Sequence, residues 1–326
     1  MASTAIKTVH VFPSFARGGQ QARLASIINA GADDFRHLVL ALDGDISGRT
    51  LIKASCEAEI IPFATEKSGF FSRRAVVALS GLLNEHRADL LCTYNWGAIE
   101  AVIANAVSIR TPHIHYEDGF GADEDLDRQK RKRVFARRLL LRKSLTVVPS
   151  TGLARLARRR WRLPDHAVRL IPNGVDTDRF EERDGGADAM FESGRVVIGS
   201  LGALRPEKNY ARLIRAFQRS DFGKINARLD LYGDGPERPR LEGMAAESAG
   251  AVALCGETGD AAIVLRGFDI FALSSDTEQM PISVLEAMAI GLPVVAPDLG
   301  DIAAMVSDLN RPFITPSGDE AALAEA

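Results

Sequence analysis

Residues 269–296 read DIFALSSDTEQMPISVLEAMAIGLPVVA. With Phe268 in front, Phe268–Leu273 is an apolar run of strand length. A polar stretch follows, and then Pro281 suits the first turn of a helix and Gly291 its end. The pattern predicts a helix over Ile282–Ala289, with Asp276 or Thr277 as its cap. Pro293–Ala296 predicts a second strand. Glu278 then falls in the loop entering the helix. Glu286 falls inside it, among Ile282, Leu285, Met288 and Ile290. A carboxylate in such apolar company needs a partner. A basic side chain would serve, and so would the paired hydroxyls of a ribose.

The same strand–helix–strand rhythm extends outward. Thr8–Phe12, His37–Leu42, Leu90–Thr93, His113–Tyr116 and Leu145–Pro149 read as strands, and Ile171–Pro172 closes the first half. Between them, helices are predicted at Gln20–Ala30, Ala75–His86, Ala98–Ser108 and, as a long basic one, Leu126–Arg142. The pattern restarts with strands at Arg195–Ser200, Arg228–Gly233 and Val252–Cys255 and helices at Tyr210–Gln218 and Glu237–Ala249. Alternation of this kind predicts parallel sheets covered on both faces. The expected fold class is α/β with two Rossmann-like, doubly wound domains. Their expected limits are 1–172 and 195–326, with a linker at 173–194 marked by Asn173-Gly174 and Asp184-Gly185-Gly186. In such sheets ligands bind at the carboxyl ends of the strands, so the site is expected in a cleft between the domains.

A chain of 326 residues suits two domains at roughly 100–200 residues each. Hydrophobic content of 46% and charged content of 25% are ordinary for a globular protein, so a core can form without staples. Cys56, Cys92 and Cys255 are widely spaced and odd in number, which argues against a disulfide framework or a zinc site and fits a cytoplasmic location. The first residues hold no basic stretch followed by a long apolar run, so no signal peptide is expected. No apolar stretch approaches the roughly 18 residues of a membrane span. A net charge of −3 gives no bulk reason to expect nucleic acid. The charges are segregated, however. Glu117–Asp127 holds six acids and no base, and Arg128–Arg162 holds fourteen bases and no acid.

Four further segments carry possible chemistry. Gly18-Gly19 lies between the first strand and the first helix, where bare backbone N–H groups could meet a phosphate; a plain tight turn would explain the glycines equally well. No GxGxxG and no GxxxxGK[ST] occurs, which weakens dinucleotide and P-loop readings. Arg205 and Lys208, three apart ahead of a helix, could converge on a diphosphate or simply be solvated. Gly233-Asp-Gly-Pro236 makes a sharp turn at a strand's carboxyl end. Asp43-Gly-Asp45 and Asp176-Thr-Asp178 are short acidic triplets of the kind that hold a metal in other transferases, and also of the kind that arises by chance.

In this order the segments resemble the large family-four group of retaining glycosyltransferases with the GT-B fold. The resemblance rests on Gly18-Gly19, Ile171-Pro-Asn-Gly-Val-Asp-Thr177, Arg205 and Lys208, Gly233-Asp-Gly-Pro236, and the E-x7-E pair Glu278 and Glu286, and it runs nearly the whole chain. It implies a sugar transfer from a nucleotide-diphosphate sugar to a saccharide or lipid-linked acceptor, in cell-surface polysaccharide or glycolipid synthesis, without cofactor or metal. It implies that Gly18 and Gly19 and then Arg205 and Lys208 meet the diphosphate, that Glu278 holds the donor sugar, and that Glu286 binds the ribose. The backbone of Gln279, Met280, Pro281, Ile282 and Ser283 would line sugar and phosphate. Two departures stand out. Gln20-Gln21 follows the glycines where the family often has x-Glu. The acceptor-side loop reads His113-Ile-His115-Tyr-Glu117-Asp118-Gly119, which makes His115 and Asp118 the candidate catalytic residues there. Family members usually continue past the equivalent of Ala326 into a helix that returns to the first domain, so a shortened C-terminal end is expected.

The basic run Arg128–Arg162 is expected either as a solvated helix face or as a patch for an anionic membrane surface, which would place the protein peripherally on the inner face of the membrane. Nucleic acid is not expected, because aromatics are not interleaved with the bases. Two other functions fit the same architecture: a nucleotide-sugar epimerase, and a catalytically inactive nucleotide-sugar-binding protein.

Overall fold

The computed structural model describes residues 5–31, 34–65, 71–121, 123–181 and 194–326. The chain divides into two compact units, Met1–Pro172 and Asn173–Ala326. In the first, β1 (Ile6–Phe12), α1 (Gly19–Asn29), β2 (Phe35–Ala41), β3 (Ala58–Pro62), α2 (Arg73–His86), β4 (Leu90–Tyr94) and α3 (Ile99–Val107) are followed by β5 (His113–Tyr116), α4 (Arg131–Leu140), β6 (Leu145–Val148), α5 (Thr151–Arg159) and β7 (Val168–Leu170). The strands form a 7-stranded sheet in the order β3-β2-β1-β4-β5-β6-β7, with every pairing parallel.

The second unit runs β8 (Val196–Leu201), α6 (Tyr210–Arg219), β9 (Ala227–Tyr232), α7 (Arg238–Ala246), β10 (Val252–Gly256) and α8 (Ala261–Arg266). It continues through β11 (Ile270–Ala272), α9 (Ile282–Ala289), β12 (Val294–Pro297), α10 (Ile302–Met305), β13 (Ile314–Thr315) and α11 (Glu320–Glu325). Its sheet is also parallel, in the order β10-β9-β8-β11-β12-β13. Both sheets are open α/β sheets. The strand order reverses between β1 and β4 in one and between β8 and β11 in the other. At such a point neighbouring connections diverge and leave a crevice at the carboxyl ends.

The strands are largely apolar because both sheet faces are covered. On β2, Leu38 and Leu40 pack with Val9, Val11 and α2's Leu79 and Leu83. The alternate residues Val39 and Ala41 pack with Phe12, Phe15 and α1's Leu24 and Ile28. The second unit repeats the scheme with one cluster around Leu213, Phe217 and Leu229 and another around Phe268, Phe271 and Ile302. Its packing begins within the stretch read as linker: Phe180 is buried in the second of these clusters. Asp184-Gly185-Gly186 lies outside the described residues.

Most predicted elements appear within a residue or two. The long basic helix is the main correction: it begins at Arg131, not Leu126. The Asp125 carboxylate accepts from the backbone N–H of Asp127 (2.8 Å) and Arg128 (2.5 Å), and Glu124 accepts from that of Lys130 (2.8 Å). Those bonds hold residues 124–130 in a turn, because acidic side chains compete with the helix for its own N–H groups. Among the described residues no helix is long and apolar enough to cross a membrane.

Polar side chains inside the first sheet are threonines and histidines: Thr8, His10, Thr93, His115 and Thr146 are buried. His10 Nδ1 lies 3.0 Å from the Tyr94 hydroxyl, and its Nε2 lies 3.1 Å from His37 Nδ1. His113 lies 2.6 Å from Ser144 Oγ and 2.8 Å from Thr93 Oγ1. Burial, and then the neighbouring His37, lowers His10 to about 3; burial, and then His115, lowers His113 to about 3. Below the ordinary value of 6.5 the unfolded chain takes up two protons that the folded chain refuses, so stability is lost as pH falls through that window. Glu286, raised by burial to about 7, acts with opposite sign over part of the range. His37, lowered by burial, acts in the same direction as His10 and His113, so stability falls on net between roughly pH 6.5 and 5. Urea midpoints measured across that range should fall, and the fall should be shallower in His113→Asn and His10→Asn. Unchanged slopes in both variants would refute the assignment.

Candidate functional site

In the second unit three loops meet at the carboxyl ends of β8, β9 and β11. The first, 202–209, follows β8; the second, 233–237, follows β9. They are zipped together by backbone bonds from Leu204 N–H to Asp234 O (2.9 Å) and from Glu237 N–H to Leu204 O (3.0 Å). The approach requires glycine. A Cβ on Gly233 (φ +143) would lie 1.9 Å from Gly202 O, and one on Gly235 (φ +155) would lie 2.6 Å from Leu204 O. The third loop, 273–281, ties to the first through Asp276 N–H to Glu207 O (2.8 Å), the Ser274 hydroxyl near Asn209 O (2.9 Å), and Arg212 Nη1 to Ser274 O (3.0 Å).

The result of this tying is an ion pair. Lys208 Nζ lies 2.5 Å from Glu278 Oε1, which also accepts from the Ser275 hydroxyl at 2.8 Å. Arg205 stands on the same loop, exposed, separated from Lys208 by a single 3-10 turn beginning at Pro206. Lys208 and Glu278 are thus brought together, and Arg205 flanks them.

Behind Glu278 the chain is clamped before it enters α9. Asn173 Nδ2 donates to Met280 O (2.7 Å), and Asp301 N–H donates to Gln279 O (2.8 Å). Gly300 (φ +58) permits the second contact, since a Cβ there would sit 2.2 Å from Gln279 O. The N-cap of α9 is Pro281, and no side chain caps the helix. This corrects the expected cap. Asp276 is engaged by Arg212 and Asn209 instead. The N–H groups of Ile282 and Ser283 therefore open the helix without side-chain acceptors, a place that favours anions.

Glu286 lies one and a half turns further on, half-buried. Among the described residues no hydrogen bond or ion pair reaches its carboxylate. Burial raises it to about 7; Arg179 pulls it down and Asp260 pushes it up. Arg179 itself pairs with Asp260 at 2.9 Å. Among the described residues no basic side chain forms a salt bridge with Glu286, so the plainer of its two readings finds no partner there.

In the first unit Gly18 is the N-cap of α1, again without a side-chain cap, and Gly19 opens the helix. From the helix's first two turns Gln20 Nε2 donates to Asp118 Oδ2 at 2.8 Å, and Arg23 grips both Asp118 oxygens. The Asp118 N–H is held by Asn95 Oδ1 at 2.8 Å. Arg23 also stands 5.3 Å over the Tyr116 ring, at the end of a stack formed by Phe12, Tyr94 and Tyr116. The glutamine that departs from the family pattern thus has a use, as a donor to Asp118. Arg23 carried no signal in the sequence beyond its helical spacing from Gln20.

His115 has a different place. It is fully buried, 2.8 Å from Thr93 Oγ1 and 3.3 Å from Glu117 Oε2. Glu117 is buried too and receives Arg137 Nε at 3.0 Å. The histidine belongs to an interior network and not to a surface that meets a ligand. The acidic triplets are turns: Asp43 accepts from Asp45 N–H (2.9 Å) and Asp176 from Asp178 N–H (3.2 Å).

Comparison with known proteins bears on the family and the fold. The sequence model described as glycosyl transferases group 1 matches residues 195–326, and that of glycosyltransferase family 4 matches residues 17–179. A 2-deoxystreptamine N-acetyl-D-glucosaminyltransferase of Streptomyces fradiae is 33% identical over 141 residues, 41% of this chain and 33% of its own length. A GDP-mannose-dependent alpha-mannosyltransferase of Mycolicibacterium smegmatis is 32% identical over 172 residues, 51% of this chain and 42% of its own. The matches thus span less than half the length of these relatives. Among solved structures, Anabaena HepE in complex with UDP and glucose superposes with a TM-score of 0.76 at 20% identity, over 98% of this chain and 88% of that one. Such a likeness shows the shared GT-B fold.

The loop geometry makes a stability prediction. Gly300→Ala should cost about 2 kcal/mol through strain at positive φ and the clash with Gln279. Gly243→Ala, mid-helix in α7 with nothing within 4 Å, should gain about 1 kcal/mol. Urea unfolding of both variants checks the contrast; equal effects would contradict it.

Proposed function

The chain belongs to glycosyltransferase family 4, and from that premise we propose that it is a retaining glycosyltransferase using a nucleotide-diphosphate sugar. The observation that carries the reading is the Lys208–Glu278 pair set between an exposed arginine and an uncapped helix N-terminus. Such a site offers cations and N–H groups to a diphosphate, and a fixed carboxylate to sugar hydroxyls. The names of relatives support the donor class: one is GDP-mannose-dependent, and a structural neighbour holds UDP and glucose.

In this reading Arg205 and Lys208, with the Ile282 and Ser283 N–H groups, stabilise the diphosphate as it leaves. Glu278 accepts from the donor sugar's hydroxyls. Glu286 accepts from the ribose, the kind of partner it lacks among the described residues. An acceptor hydroxyl oxygen bonds to the anomeric carbon on the face the diphosphate departs from. The bond from that carbon to the phosphate oxygen breaks, its electron pair stays with the diphosphate, and a phosphate oxygen takes the hydroxyl proton. In the first unit, Asp118, oriented by Arg23 and Gln20 beside Gly18-Gly19, is the residue offered to a saccharide or lipid-linked acceptor in polysaccharide or glycolipid synthesis. No step calls for a metal.

The reading is tested by supplying UDP-, GDP- and ADP-sugars with saccharide acceptors and following release of nucleoside diphosphate in the presence of EDTA. Lys208→Ala or Glu278→Ala should lower kcat by roughly a hundredfold or more while leaving the melting temperature near that of the parent. Epimer formation without acceptor, or nucleotide binding with no transfer for any donor, would overturn the proposal. Glu286 adds a pH signature. A neutral carboxyl accepts ribose hydroxyls less well, so nucleotide affinity should fall, by at most about tenfold per pH unit, as pH drops below about 7. Glu286→Gln should bind more weakly and lose that dependence.

A further inference from the structure

Two hydroxyls lie beneath the loops of the second unit with no use in the site described so far. Ser200, near the end of β8, is fully buried, and Tyr210, the first residue of α6, is 3% exposed. The Tyr210 ring belongs to the cluster of Leu204, Leu213 and Leu231. Its hydroxyl oxygen stands directly under the first loop, since a Cβ on Gly202 would lie 2.9 Å from it. The two hydroxyls are neighbours, and among the described residues neither has a partner outside the pair. Two O–H groups that have only each other can spend at most one of their two protons. At least one donor is therefore left over in the interior, where it costs stability. Burial raises the phenol's pKa, Ser200 opposes the shift, and the charge of nearby Glu278 adds to it. Tyr210 is thus a donor and not a base.

Glu278 has the complementary deficit. Its Oε1 takes both Lys208 (2.5 Å) and the Ser275 hydroxyl (2.8 Å), and no described residue donates to its Oε2. The side chain is only 9% exposed. A carboxylate so enclosed depends on the lysine for its compensation. A diphosphate carries more negative charge than one carboxylate and competes for that ammonium. Once the lysine turns to the diphosphate, Glu278 needs another donor.

We propose that Tyr210 is a positioning residue for Glu278, its hydroxyl donating to the Glu278 carboxylate when a nucleotide-diphosphate sugar draws Lys208 away. This role builds on the transferase reading of the same site. A ligand does not reach the hydroxyl itself, because the oxygen is sealed from solvent under Gly202. The acceptor is therefore a protein group, and Glu278 is the charged group that acts on this hydroxyl. No proton changes hands, since a phenol is a far weaker acid than a carboxylic acid. Glu278 stays ionised and oriented, as an acceptor of sugar hydroxyls must be.

The test compares the parent with Tyr210→Phe, which keeps the ring and removes the oxygen. Without ligand, the variant's melting temperature should match the parent's or exceed it by up to roughly 4 °C, because an unspent buried donor is gone. A clear fall would mean that the hydroxyl is already bonded, and would overturn the proposal. UDP-glucose, GDP-mannose and ADP-glucose are then titrated calorimetrically into the parent, and the tightest is carried forward. Its Kd should rise roughly tenfold in Tyr210→Phe, and its KM likewise. In a Glu278→Ala background the same substitution should change Kd by less than about twofold, since the acceptor is absent. An equal loss in both backgrounds overturns the assignment to Glu278. Equal affinity of parent and Tyr210→Phe overturns the role of Tyr210 alone. A parent that binds none of the three donors overturns the transferase reading, and the role with it.

Discussion

A strand that pairs parallel with its neighbour must be reached by a crossover, so every strand of such a sheet enters at one edge and leaves at the other. Both sheets here are parallel in every pairing, and that constraint sorts the residues before any side chain is considered. Gly18, Asn95 and Asp118 all fall just past the carboxyl ends of strands in the first sheet. Gly202–Lys208, Gly233–Gly235 and Ser274–Glu278 do so in the second. Crossovers alone would leave these loops as separate surface turns. Glycines at positive φ convert them into a packed layer: Gly233 and Gly235 let one loop lie on another, and Gly300 lets a third element support Gln279. The Lys208–Glu278 pair is the consequence, since neither residue is near the other in sequence and both backbones are fixed by bonds to neighbours.

Within the first unit the organising group is Arg137. Burying a guanidinium is costly unless it is paired and hydrogen-bonded. Here two buried carboxylates and a set of aromatic rings surround it. Removing one partner would leave an uncompensated charge in the interior. The pairing fixes the rotation of α4 about its own axis. With Arg137 and Arg133 inward, Phe135 and Leu139 have no choice but to face out. The same pairing holds Glu117, and with it the chain direction at Asp118, where Arg23 and Gln20 take over.

Much of this was legible in the sequence, for identifiable reasons. Strands buried on both faces, such as Val196–Leu201, are continuous apolar runs and announce themselves. Ile282–Ala289 was bounded by Pro281 and Gly291, and the helix has those limits. What resisted was competition among polar groups. Asp276 looks like a cap, but Arg212 and Asn209 hold it. Leu126 was read as the start of a helix, but the Asp125 and Glu124 carboxylates bind the N–H groups that a helix there would need. β3 and α5 were not foreseen. The first is a short edge strand ending in Pro62, and the second hides its apolar period of Leu153, Leu156 and Ala157 among arginines. Arg23 was invisible because its partner, Asp118, lies 95 residues away.

The spacing of Glu278 and Glu286 taken alone would suggest an equivalence, but Pro281 already sets them apart in the sequence and the structure keeps them so. Eight residues of continuous helix would place two carboxylates on one face, about two turns apart. The helix begins only at Ile282, so Glu278 lies on a loop and its neighbours are set by tertiary bonds. Its oxygen meets a lysine and a hydroxyl. Glu286 meets neither and is held up near 7 by burial. A carboxylate already gripped by a cation is a fixed, oriented acceptor. One that lacks a partner gains most from a ligand that brings donors of its own. In the proposed reading the two acids therefore serve different parts of one ligand, and that reading needs no division of labour between acid and base.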